Sequence, residues 1–92
     1  MDISYHVSKL RDDYRGLFMH IDRIEDWLQK NSNTLVDTVP TGYITDVKEC
    51  ISLTRDNSKD TLLYKHLACL LQYYMNDLLR ELENSQKLNL VM

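Results

Sequence analysis

The residues best equipped for chemistry lie in the N-terminal third of the chain. Arg15 and His20 stand in the spacing Arg-x4-His, which on a helix would offer a guanidinium and an imidazole to one phosphate. Asp12, Asp13, Asp22, Glu25 and Asp26 could pair carboxylates for acid–base work or for a divalent cation. They alternate with Arg11, Arg15, Arg23 and Lys30, which is the pattern of a solvated helix face. His6, His20 and His66 are scattered, and none has a His or Cys partner three or four residues on, so they are expected at the surface or its boundary rather than around a metal. No glycine-rich phosphate loop, CxxC pair or GxSxG nucleophile occurs. The residues therefore predict no catalytic site, no metal and no cofactor.

Three amphipathic segments must position whatever site exists. Ile3, Val7, Leu10, Tyr14, Leu17, Ile21, Ile24 and Leu28 alternate in steps of four and three, a heptad seam predicting one long helix over about 3–30. Asp2 suits its N-cap, Asn31-Ser32-Asn33 its end, and Asp26 with Lys30 forms a favourable i,i+4 pair. Gly16 is the one residue that conflicts with a helix interior, and it falls on the polar side of the wheel. Residues 31–42 read as a loop in which Pro40 biases Val39 to an extended backbone. A second helix is expected over about 43–54, with Ile44, Val47, Cys50 and Ile51 on one face. A third follows over about 59–84, capped by Ser58 with Asp60 in its first turn, and an apolar tail over 85–92 completes the chain.

The first segment could also form a dimeric coiled coil. Its flanking positions place His6 opposite Arg11 and Asp13 opposite Phe18, which gives no ladder of ion pairs, and Phe18 and Trp27 widen the seam. The fold class predicted is therefore all-α: a single three-helix antiparallel bundle with a heptad-patterned first helix. The Arg-x4-His spacing is similar to that of some helical ribonuclease domains, the HEPN class. In that class the pair lies late in the domain, whereas here it lies in the first helix, and two solvated residues on a helix flank are the plainer expectation.

Composition narrows function by exclusion. The net charge of −3 divides into −1 for residues 1–30, −2 for 31–60 and 0 for 61–92, so no basic stripe exists for phosphate neutralisation and no direct nucleic-acid ligand is expected. The charged N-terminus is unlike a signal peptide, and no apolar run approaches the roughly 18 residues of a membrane span. Cys50 and Cys69 sit in apolar stretches as reduced thiols. These features predict no membrane association and an intracellular setting, cytoplasmic or nuclear.

The third segment carries apolar residues over about 180° of its wheel, against the roughly 100° that a surface helix devotes to a core. That surplus predicts a non-catalytic protein–protein interaction or oligomerisation module, an adaptor completed by a protein partner or by self-association, a dimer first. Leu71, Met75, Leu79 and Leu82 are the expected docking residues, with Trp27 either closing the core or anchoring the partner. A small helical inhibitor of another protein is the alternative. Tyr64, Tyr73 and Tyr74 are expected mainly in the core, with an interface as the second option.

Overall fold

Asp2 opens the first helix as a cap, its carboxylate accepting the Ser4 amide at 3.3 Å. From there a computed structural model describes residues 2–91, with side chains from Asp2 to Ser85. The described residues form five helices: α1 (Ile3–Lys9), α2 (Leu17–Lys30), α3 (Ser32–Thr38), α4 (Thr41–Asp56) and α5 (Thr61–Val91). No strand occurs among the described residues.

The predicted single helix over 3–30 is two helices. Residues 10–16 turn the chain, and the amide of Gly16 donates to the Asp13 carboxylate at 3.1 Å, a local bond that competes with helix continuation. Every seam residue is nevertheless buried or half-buried against the core. The heptad period thus marks the residues that meet the core, while the break lets α1 fold back on α2 within one chain. A straight helix of that length, about 42 Å, would need a partner along its whole seam.

The expected loop over 31–42 holds α3, whose Leu35 is buried, and Val39 keeps the extended backbone that Pro40 imposes. Asp60, not Ser58, caps α5, accepting the Leu63 amide at 3.2 Å. The Asp26–Lys30 pair forms at 3.0 Å. The tail is helical through Val91; its side chains beyond Ser85, and Met92, lie outside the described residues.

Helices α4 and α5 run antiparallel, because Tyr43 bonds the Tyr74 carbonyl at 2.8 Å while Cys50, further along α4, bonds the earlier Leu67 carbonyl at 3.6 Å. Burial at that seam pushes the Tyr43 hydroxyl up to about 12 and the Cys50 thiol above its ordinary value. Arg55 ties α4 to α2 by reaching both Asp22 at 2.6 Å and Glu25 at 3.0 Å. On α5 the core seam is Tyr64, Ala68, Leu71, Met75 and Leu78, spaced four and three. At about 1.5 Å per residue α5 is roughly 46 Å long, which accounts for the 48 Å long axis of the molecule.

Candidate functional site

The fold-back of α1 on α2 brings His6 and His20 together. His6 Nδ1 lies 3.0 Å from His20 Nδ1, and His20 Nε2 lies 3.0 Å from Asp13 Oδ2. Both rings are buried, at 5% and 1% exposure, and Tyr5 meets each edge-on. Sequence spacing does not reveal this pair, because the turn over residues 10–16 creates the contact; the expectation of surface or boundary histidines fails for these two and holds for His66, which is exposed.

The bonding pattern assigns the protons. A carboxylate only accepts, so His20 donates Nε2–H to Asp13 and presents a lone pair at Nδ1. His6 then donates Nδ1–H to that lone pair and is left with a basic Nε2. Only one hydrogen fits between two nitrogens at 3.0 Å, so both rings cannot be cations while the contact holds. Burial, then the neighbouring His20 and Arg23, push the His6 pKa below its ordinary value. The hydrogen bond from His20, then the Gly16 amide, hold the Asp13 carboxyl below its own.

Gly16 has a reason within this chain of groups. A Cβ there would stand 2.5 Å from Asp13 Oδ2 and 3.3 Å from His20 Nε2, displacing the carboxylate from the imidazole. Gly16→Ala is therefore expected to destabilise the protein by about 1 kcal/mol, since a charge-assisted hydrogen bond and an N-cap residue are both disturbed. Chemical denaturation measures the loss, and a shift of the His20 ring signals in NMR reports the displaced carboxylate. An unchanged His20 environment in that variant would contradict the account.

Beside His6 a groove of about 500 Å³ opens between α1 and α2, lined by Ile3, Tyr5, His6, Met19, Arg23, Asp26, Trp27 and Lys30. Trp27 packs partly against the core and partly forms this wall. Arg15 is exposed while His20 is buried with both ring nitrogens occupied. The structure does not bring the Arg-x4-His pair to a common phosphate position. No group of three or more His, Cys, Asp or Glu among the described residues could hold a metal ion.

The expected docking residues on α5 divide. Leu71 and Met75 are 0% exposed and belong to the core, a correction of the predicted surface. Leu79 and Leu82 are half-buried against that core. The apolar surplus lies on a neighbouring flank instead: Leu62 (69% exposed), Leu63 (39%), Leu70 (44%) and Tyr73 (67%) face solvent. Leu53 of α4 is also exposed, and it shares a hollow with Leu67, Leu70 and Tyr74. The wheel arc was the right signal for surplus, but an arc does not say which of its edges the core occupies.

No protein-family model, curated protein or solved structure matches this chain. Both cysteines are free, Cys50 buried and Cys69 half-buried. No helix among the described residues is long and apolar enough to cross a membrane.

Proposed function

We propose that this chain is a non-catalytic interaction module that pairs with a second copy of itself through the apolar flank of α4 and α5. The supporting observation is the row formed by Leu63, Leu70 and Tyr73, spaced by seven and three along α5 and exposed in the single chain. Scattered surface leucines need no explanation. A row at helical spacing beside the exposed Leu53 is a patch of the kind that protein interfaces cover, and burying such a side chain contributes on the order of 1.5–3 kcal/mol.

A second copy fits because the row is self-complementary: paired antiparallel, Leu63 of one α5 meets the Tyr73 end of the other, as an isologous interface requires. Sedimentation from low to high micromolar concentration is expected to show a dimer forming, and the double variant Leu63→Gln/Leu70→Gln is expected to stay monomeric with its helix content intact. A wild-type chain that remains monomeric throughout would overturn self-pairing. A dimer unaffected by the double variant would move the interface elsewhere.

A further inference from the structure

We propose that the groove between α1 and α2 is a binding site for a small aromatic carboxylate that also carries a hydroxyl. The site has one acceptor, one charged donor and an apolar wall, each placed by the fold. The acceptor is His6 Nε2. Its ring makes a single hydrogen bond, through Nδ1 to His20, and no sealed side-chain nitrogen or oxygen among the described residues lacks a partner. Nε2 therefore opens on the groove that His6 lines. Asp13 and His20 fix the tautomer, so Nε2 offers a lone pair and selects a ligand that donates.

Arg23 is the donor. Its guanidinium takes part in none of the ion pairs among the described residues, although it lines the same groove and sits close enough to His6 to disfavour a second positive charge there. An unpaired guanidinium in a partly enclosed groove is suited to a planar carboxylate, which it binds through two parallel bonds. The other charges in the groove, Asp26 and Lys30, neutralise one another at 3.0 Å, so the site keeps a net positive group.

The wall is Ile3, Tyr5, Met19 and the Trp27 ring. A volume of about 500 Å³ falls within the usual range of small-molecule sites, and an apolar lining with a few converging polar groups is their usual composition. A ring on Trp27 and Met19, with a carboxylate on Arg23 and a hydroxyl on His6, uses each feature once. This site is independent of the α5 flank, so its success or failure leaves the pairing proposal untouched.

Trp27 is the only tryptophan of the chain, so its emission reports on the groove directly. The test is titration of the full chain at neutral pH with 4-hydroxyphenylacetate, followed by Trp27 fluorescence. Phenylacetate, which lacks the hydroxyl, and 4-hydroxyphenethylamine, which replaces the carboxylate with an ammonium, serve as comparison probes. Saturable binding of 4-hydroxyphenylacetate is expected, with phenylacetate about tenfold weaker and the amine without effect. Arg23→Gln is expected to weaken binding by about tenfold; Arg23 is exposed and unpaired, so circular dichroism of this variant should match the parent. Absence of saturation, equal affinity for phenylacetate, or an Arg23→Gln titration identical to the parent's would each overturn the proposal.

Discussion

Leu71→Ala is expected to lower the unfolding free energy by about 2–5 kcal/mol, whereas Leu70→Ala, one residue away, changes it by less than about 0.5 kcal/mol. The contrast follows from burial. Leu71 is 0% exposed at the centre of the α5 seam, between Ala68 and Met75, so truncation removes transferred apolar surface and leaves a cavity. Leu70 is 44% exposed on the flank, and its truncation opens no cavity. In a domain of this size each kcal/mol moves the unfolding midpoint by about 4–8 °C, so thermal melts at low micromolar concentration, below self-pairing, separate the two easily. Equal losses would mean that the core seam of α5 is misassigned. In sedimentation the order should reverse, with Leu70→Ala weakening the dimer and Leu71→Ala acting only through the fold.

The second large effect concerns His6. His6→Leu is expected to cost about 1–3 kcal/mol near pH 7.5, because it leaves the His20 Nδ1 lone pair buried without a donor. The same residue makes the wild type acid-sensitive. Its pKa in the folded chain is depressed below the ordinary 6.5, so as pH falls through that value the unfolded chain takes up a proton that the folded chain resists. Stability is fully present above that window and declines through it until the depressed folded value is reached. Leucine cannot titrate, so the gap between wild type and His6→Leu should narrow as the pH is lowered from 7.5 toward 5. Urea denaturation at a series of pH values measures that gap directly, and a gap that stayed constant or widened would contradict a buried neutral His6. Asp13 acts in the same direction at lower pH, where protonating its carboxylate removes the acceptor for His20.

The His6 effect depends on a turn that periodicity could not show. Spacing of apolar residues reports which side chains lie on a common stripe, and that stripe is the same whether the backbone runs straight through residues 10–16 or doubles back. Ile3 through Leu28 were legible as core-facing for this reason, and so were the Asp2 cap, the extended Val39 before Pro40 and the Asp26–Lys30 pair. Gly16 was the visible sign of trouble in the first helix. Its meaning required the Asp13 carboxylate, which occupies the space a side chain would fill.

What the sequence determined by itself is the all-helical class, the seams and the excess of apolar surface on the last helix, since these follow from residue type and spacing along a single helix. The tertiary structure alone decided which edge of that excess is buried, putting Leu71 and Met75 inside and Leu63, Leu70 and Tyr73 outside. It also decided that two histidines separated by a turn share one hydrogen, and that Trp27 and Arg23 face the same groove as His6. The physical reason is common to all three. A helix wheel orders side chains around one axis, but the angle at which a neighbouring helix packs is set by the whole core, and a contact between two elements exists only once the chain has turned.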